Sequence, residues 1–253
     1  MSDQKVVIIT GAGSGMGAAT AKRFAKDGYK VVLNGRTKSK LQSVADEIGS
    51  DHVLIIAGDI SNPEDAANIV EQTIDTYGRL DVLVNNAAIA IFSKIEDLSL
   101  DDWNKQLSIN TTGPFLMIKN AINHLEKTKG SIVNVSSVSG LGGDWNGFAY
   151  DATKGAINMM TQALALDFAA KGVRVNAVAP SLTDTDMGAS VTQNPEILEK
   201  FKTRIAMKRA GQPEEVADVI AFLASQDARF VTGTILPVDG GLSASNGQPN
   251  MSE

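Results

Sequence analysis

Apolar residues in this chain come in short unbroken runs set between amphipathic stretches. Val6-Val7-Ile8-Ile9 is the first run. Further runs lie within 29–36, 53–57, 80–84, 131–140, where the strand ends in serines, and 173–180. Runs of that length, rich in Val and Ile, predict strands buried on both faces. The stretches between them read as helices. Ala18 to Ala25 predicts a helix with small residues where it would lie close to a sheet. Another starts near Pro63. Leu100 to about Lys127 predicts a long helix, in which Pro114 removes a donor and should kink or loosen the preceding turn. From Tyr150 onward, Ala156, Ile157, Met160, Ala163 and Leu164 form one apolar face. A short helix over Pro195 to Ile205 and one opening at Pro213 complete the pattern. This alternation predicts an α/β fold, a single doubly wound parallel sheet of Rossmann type with helices on both faces. The 253 residues suit one such domain over 1–253 and leave little room for a second.

Composition removes whole classes of function. With 43% hydrophobic and 21% charged residues the chain is globular rather than disordered. A net charge of −6 argues against a nucleic-acid surface. There is no cysteine, so disulfides and thiolate metal sites are excluded. His52 and His124 lie far apart, no metal-ligand spacing is present, and both read as structural or surface residues. No signal peptide and no span of about twenty apolar residues is found, so a cytoplasmic enzyme without a membrane partner is expected. The polar tail, 242–253, is expected to be mobile or to cross to a neighbouring subunit.

The first strand runs directly into Thr10-Gly11-Ala12-Gly13-Ser14-Gly15-Met16-Gly17, and a helix follows. Strand, glycine turn and helix together make an anion site. Helix-start N–H groups and the helix dipole favour a phosphate there, and glycines let the backbone approach it. Two registers fit. Gly13-x-Gly15-x-x-Ala18 matches the general dinucleotide fingerprint. Thr10-Gly11-x-x-x-Gly15-x-Gly17 has a different spacing. An ordinary strand-to-helix turn would use similar residues.

The end of the second strand bears on the choice of dinucleotide. An acid is often found about twenty residues past the glycine turn, bonding the ribose 2′-OH. Here Gly35 and then Arg36 occupy that place. A 2′-phosphate would meet no repulsion, Arg36 can grip it, and Lys38 and Lys40 add to the field. NADP(H) is therefore expected over NAD(H). The other account is a solvated basic loop opening a helix, where cations are mildly unfavourable.

Tyr150 lies thirteen residues after Ser137, and Lys154 four residues after Tyr150. A spacing of four puts Tyr150 and Lys154 on one helix face, one turn apart. Reducing a ketone by hydride needs a proton for the developing alkoxide, and the reverse reaction needs a base. A free tyrosine has a pKa near 10. A nearby ammonium and an oxidised nicotinamide would stabilise the tyrosinate. Bringing the phenol near neutrality needs about 4 kcal/mol, which a partly desolvated charge pair can supply. A serine hydroxyl can hold the substrate oxygen in line.

Taken together, the glycine turn, the Asn85-Asn86-Ala87-Ala88 stretch, Asn110, Ser137 and Tyr150-x-x-x-Lys154 closely resemble the short-chain dehydrogenase/reductase family. The resemblance runs from Val6 to about Gly241. It implies Asn110, Ser137, Tyr150 and Lys154 as the catalytic tetrad, with the Asn110 main-chain carbonyl holding a water near the lysine. For the cofactor it implies Gly11, Ser14, Gly15, Met16 and Gly17 at the turn. It implies Asp59 at the adenine amino group with Ile60 packed beside it, and Asn86 along the ribose. Lys154 would bond the nicotinamide ribose. Pro180, Thr183 and Thr185 would lie at the nicotinamide end, Thr185 on the carboxamide. It further implies a substrate lid over 186–210 and a homotetramer built through the helices carrying Asn110 and Tyr150. Asp59 or Ser61 also reads as the cap of the helix near Pro63. Two residues depart from the family pattern: Ala88 and Ser181 each stand where glycine is usual.

Three stretches resemble the branch of acetoin reductases and 2,3-butanediol dehydrogenases: 137–145, Pro180-Ser181-Leu182 and Gly247-Gln248-Pro249. That branch mostly uses NAD, so Arg36 departs from it. On this likeness Ser139, Trp145 and Met187 are candidate substrate residues, with Phe92 and Leu141 beside them. Core or lid packing is the other account of the apolar ones. The expected activity is NADP(H)-dependent interconversion of a small ketone or hydroxyketone and its secondary alcohol. NAD-dependent butanediol oxidation and 3-oxoacyl-carrier reduction are the alternatives. A non-catalytic dinucleotide-binding protein is the rival from another class, and the Tyr150–Lys154 pair argues against it.

Overall fold

The computed structural model describes residues 4–49 and 52–248. Its strands are β1 (Val6–Ile9), β2 (Lys30–Gly35), β3 (Val53–Ala57), β4 (Val82–Asn85), β5 (Ser131–Val135), β6 (Arg174–Pro180) and β7 (Ile235–Val238). They form one parallel sheet in the order β3-β2-β1-β4-β5-β6-β7. The helices are α1 (Gly15–Lys26), α2 (Lys38–Ile48), α3 (Pro63–Tyr77), α4 (Leu100–Leu107), α5 (Gly113–Thr128), α6 (Phe148–Phe168), α7 (Ala189–Thr192), α8 (Pro195–Arg204) and α9 (Pro213–Ala224).

Strand β1 shows why the fold has two apolar layers. Successive side chains point to opposite faces of a strand. Val7 and Ile9 enter a core with Phe24 of α1 and with Val216, Ile220 and Leu223 of α9. Val6 and Ile8 enter the other, with Ile69 of α3 and Met117 and Leu125 of α5. All four β1 residues are buried, which is why the run is continuous rather than alternating. β1 pairs with β2 on one side and β4 on the other, so the winding reverses between β1 and β4. Open parallel sheets bind ligands in the crevice beyond the carboxyl ends of the strands at such a point.

Two local expectations are corrected. Neither Asp59 nor Ser61 caps α3. Asn62 does, its side chain accepting from Glu64 N and Asp65 N, while Asp59 accepts from the N–H and hydroxyl of Ser61. The single kinked helix over 100–127 is two helices, α4 and α5, joined by a π-helical turn at Ser108–Thr112. Pro114 sits in the first turn of α5, where its missing N–H costs nothing. Of the branch-like stretch at the carboxyl end, Pro249 lies outside the described residues, as does the rest of the tail after it. Among the described residues no helix is long and apolar enough to cross a membrane. None of their His, Asp and Glu residues gather into a group of three or more that could hold a metal.

Candidate active site

The glycine turn is built for close approach. Gly11 (φ +67°) and Gly15 (φ +52°) hold left-handed backbone that side chains disfavour. At Gly17 a Cβ would lie 2.2 Å from the carbonyl oxygen of Gly11. Asn86 clamps the turn: its Nδ2 donates to the carbonyls of Thr10 (2.9 Å) and Gly11 (3.2 Å). The Thr10 hydroxyl in return accepts from Asn86 N and Ala87 N. Ser14 precedes α1, yet its hydroxyl caps none of the first-turn N–H groups. The turn therefore presents open donors at a helix start, a donor set that fits a pyrophosphate.

A cleft opens from this turn across the β1/β4 reversal. It is lined by Gly11, Ser14, Gly15, Met16, Gly35, Arg36, Asp59, Ile60, Asn86, Thr185 and Met187, all foreseen near the cofactor or substrate except Gly35. Asn34, Gly58, Ala87, Ala88, Ile89, Ile109 and Asp186 complete the lining and were not assigned there from the sequence. Gly58, Ala87 and Ala88 carry no side-chain signal, and Asn34, Ile89 and Ile109 reach the cleft only through the way the strands and the π-turn are placed. Exposed Arg36 stands at the rim, directly after β2. Burial opposes ionisation of Asp59, but the two bonds from Ser61 and then the charge of Arg36 outweigh it and hold the carboxyl below its ordinary value. At the far end Thr185 packs its methyl 3.1 Å from where a Gly15 Cβ would be, while its hydroxyl accepts from Gly188 N. Thr183 bonds the Ser181 carbonyl and bridges to Gly211. Among the described non-glycine residues only Lys129, Asn146 and Lys208 have positive φ. Ala88 and Ser181 thus hold backbone that needs no glycine, and neither departure distorts the cleft.

The structure brings together Ser137, Tyr150 and Lys154 at the carboxyl ends of β5 and β6. Ser137 lies two residues past β5, and its hydroxyl lies 3.5 Å from the Pro180 carbonyl. Lys154 is 3% exposed, donates to the Val135 carbonyl at 2.8 Å and has Nζ 5.6 Å from the Tyr150 ring centroid. Asn110 sits in the π-turn. Its side chain pairs with both N and O of Ile89 (2.9 and 2.8 Å) and reaches Thr153 Oγ1 at 3.1 Å. It thereby fastens the segment after β4 to the π-turn and to α6, which carries Tyr150 and Lys154. This long-range pairing, rather than Pro114 alone, accounts for the widened turn.

The protonation balance differs from the sequence expectation. Burial drives the Tyr150 phenol up to about 12, the Ser137 hydrogen bond opposes it, and the charges of Asp144 and Asp151 add to it. Burial alone brings Lys154 from 10.5 down to about 8. The protein by itself thus holds the phenol protonated rather than lowered toward neutrality. The downward push needs a further positive charge beside the ring.

Trp145, foreseen as a substrate residue, stands 95% exposed. Phe92 instead meets the site, its ring centroid 5.8 Å from that of Tyr150. Met187 lines the cleft. Ser139 is buried, accepting from Ser137 and donating to Asp144. Asp144 and Asp151 were missed. The only available signal was an acid in the Gly-Gly-Asp-Trp stretch between Ser137 and Tyr150.

Comparison with known proteins adds four likenesses. A family model described as enoyl-(acyl carrier protein) reductase matches residues 11–243. The chain is 45% identical over 249 residues to meso-2,3-butanediol dehydrogenase of Serratia marcescens, covering 98% of each chain. Among solved structures, 3-ketoacyl-(acyl-carrier-protein) reductase from Brucella melitensis complexed with NADH superposes with a TM-score of 0.89 at 37% identity, over 94% of this chain and 98% of that one. ElxO with NADP bound gives a TM-score of 0.89 at 32% identity, over 96% and 100%.

Proposed function

The chain belongs to the short-chain dehydrogenase/reductase family, and on that premise we propose that it is an NADP(H)-dependent enzyme interconverting a small hydroxyketone or ketone and its secondary alcohol. That it is an NAD(P)-dependent oxidoreductase acting on alcohols follows from its relatives. One observation carries the site assignment: Tyr150 and Lys154 share α6 near Ser137, and Asn110 ties that helix to Ile89 in the lining of a cleft whose glycine turn admits a pyrophosphate. When bound, the dinucleotide supplies or accepts a hydride, and its oxidised ring adds positive charge beside Tyr150. The protein does the rest. Ser137 and Tyr150 hold the substrate oxygen, and Tyr150 gives it a proton in reduction or takes one in oxidation. Lys154, buried one turn below, keeps a cation beside the phenol and orients the ribose. Asn110 positions α6. The exposed short helices of 186–210, in which no residue of 186–192 or 195–204 is buried, form a lid that folds over the substrate.

The NADP(H) assignment rests on Arg36, exposed at the cleft rim with Gly35 where an acid would bond a 2′-OH. In paired fluorescence titrations NADPH binds at least tenfold tighter than NADH, about 1.4 kcal/mol. Arg36→Ala removes that margin by weakening NADPH alone. NADH binding as well as NADPH in the unaltered protein overturns the assignment.

The hydroxyketone assignment draws on the butanediol dehydrogenase likeness and on Phe92 beside Tyr150, which suits a small, partly apolar substrate. We also propose a homotetramer through α5 and α6. Leu166, Met159 and Phe115 on these helices are exposed by 84%, 64% and 49%. Static light scattering at micromolar concentration gives four times the chain mass; a monomer mass overturns it.

A further inference from the structure

Ser137 and Tyr150 must meet one substrate oxygen, yet they stand on different elements. Tyr150 and Lys154 belong to α6, whereas Ser137 lies between the end of β5 and the 3₁₀ turn Val138–Gly140. Its own contacts do not fix it to α6. Its hydroxyl bonds Ser139 within the same segment and lies 3.5 Å from the Pro180 carbonyl of β6. Ser136 N donates to the Val178 carbonyl, again of β6. These bonds hold the segment to the sheet and leave its distance from the helix open.

Asn158, one turn past Lys154 on α6, closes that gap. Its Nδ2 donates to the Gly140 carbonyl at 2.7 Å, and its Oδ1 accepts from the Ser136 hydroxyl at 2.6 Å. Among the described residues it is the one side chain of α6 that bonds the segment on both sides of Ser137. Both ends of the amide are used, which sets its orientation: turned over, its oxygen would face the Gly140 carbonyl, and two acceptors would meet. The Ser136 hydroxyl also lies 3.3 Å from the Lys154 carbonyl. At Gly140 a Cβ would lie 2.8 Å from Asn158 Nδ2 and 2.8 Å from the Lys154 carbonyl oxygen. The missing side chain lets the segment rest on the backbone of Lys154 itself. Ser136 is buried and Asn158 half-buried, so water competes weakly for these bonds.

We propose that Asn158 is a positioning residue. Its amide clamps the Ser136–Gly140 segment to α6 and so sets the Ser137 hydroxyl against the Tyr150 phenol and Lys154. The inference rests on the alcohol–carbonyl reaction proposed above. Asn158 is not part of the cleft lining, so its effect on the reaction passes through Ser137. A misplacement of about 1 Å at a reacting group costs about 10²-fold in rate. A hydroxyl that serves the transition state only from the right place shows its loss in kcat, with KM little changed.

Single-turnover oxidation of 2,3-butanediol by stopped flow tests this, with rates expressed per dinucleotide site titrated in each protein. Asn158→Ala slows hydride transfer about tenfold or more, while apparent affinities for the diol and the dinucleotide change less than about threefold. Asn158→Gln keeps both amide ends and runs at least threefold faster than Asn158→Ala. Ser136→Ala removes one arm of the clamp and slows hydride transfer about threefold or more. In a Ser137→Ala background Asn158→Ala slows the reaction further by less than twofold, because its action needs the Ser137 hydroxyl. Circular dichroism and light scattering establish that each variant folds and assembles as the parent does, and Ser136→Ala decides should Asn158→Ala fail to fold.

An unaltered hydride-transfer rate in folded Asn158→Ala overturns the inference and leaves the proposed function standing. Loss of dinucleotide affinity in step with the rate also overturns it and makes Asn158 a general support of the fold. So does a full tenfold loss in the Ser137→Ala background, which would place the effect elsewhere than Ser137. Absence of hydride transfer from 2,3-butanediol and from a panel of small secondary alcohols in the unaltered protein overturns the proposed function, and the role of Asn158 with it.

Discussion

Replacing Tyr150 with phenylalanine lowers kcat by about 10³-fold or more and leaves dinucleotide affinity within about threefold. The expectation follows from what the substitution removes. A positioned acid–base group contributes about 10²–10⁴ to a proton-transfer step. The carboxylates that line the cleft, Asp59 and Asp186, sit with Arg36 and Thr185 around its glycine turn, and neither is among the charges that act on Tyr150. The ring remains, so packing against Phe92 is kept. Ser137 Oγ still accepts from Ser139 N–H, so no buried hydroxyl is orphaned and the fold loses about 1 kcal/mol or less. The glycine turn, Asn86 and Arg36 are untouched, which is why binding persists. Steady-state kinetics beside a fluorescence titration check both halves. Turnover within tenfold of the parent removes Tyr150 from its proposed role. Loss of binding together with turnover would mean that the phenol serves the cofactor site instead.

The same residue shows where the sequence stopped being informative. That Tyr150 and Lys154 share a face was legible, because a spacing of four on a helix is a local matter. The direction in which the phenol titrates was not. It depends on burial within the folded chain and on Asp144 and Asp151, one of them six residues away across a loop whose course no pattern reveals. Strands β1, β2, β3 and β6 were legible within a residue because each is a largely apolar run, as in the Val6–Ile9 strand, whereas β5 stops at Val135, five residues short of the serine-rich end read for it. The π-turn was legible only as a defect near Pro114. Its cause is the pairing of Asn110 with Ile89 and Thr153, residues 21 and 43 positions away. Asn62 was passed over as a cap because Asp59, Ser61 and Asn62 are all good capping types, and only backbone geometry chooses among them. Trp145 was misjudged for a related reason: a large aromatic near a site suggests a pocket wall, but a loop decides which way it faces.

Lys154→Met abolishes turnover and raises stability at pH 7 by roughly 2 kcal/mol. The ammonium is 3% exposed and has been brought from 10.5 to about 8 by burial. The folded value lies below the unfolded one, so the unfolded chain binds more protons between about pH 8 and 10.5. Stability therefore rises with pH across that window, and the penalty is fully present below it. At 1.36 kcal/mol per pH unit the protonated lysine costs the fold about 3 kcal/mol at neutrality. Methionine keeps much of the length and apolar stem while removing the charge. It also forfeits the bond to the Val135 carbonyl, which returns about 1 kcal/mol. For a chain of this size the net gain raises Tm by about 4–8 °C. Thermal unfolding at a series of pH values isolates the cause. The advantage of the variant is greatest below pH 8 and shrinks as pH approaches 10. The scan stops there, because Tyr150, raised to about 12 in the folded state, makes stability fall with pH beyond its unfolded value near 10. A variant no more stable than the parent at pH 7, or an advantage constant from pH 7 to 9.5, removes the buried ammonium as a cost to the fold. With the expected outcome, Lys154 is a charge that the fold holds against its own stability, as a cation beside Tyr150 requires.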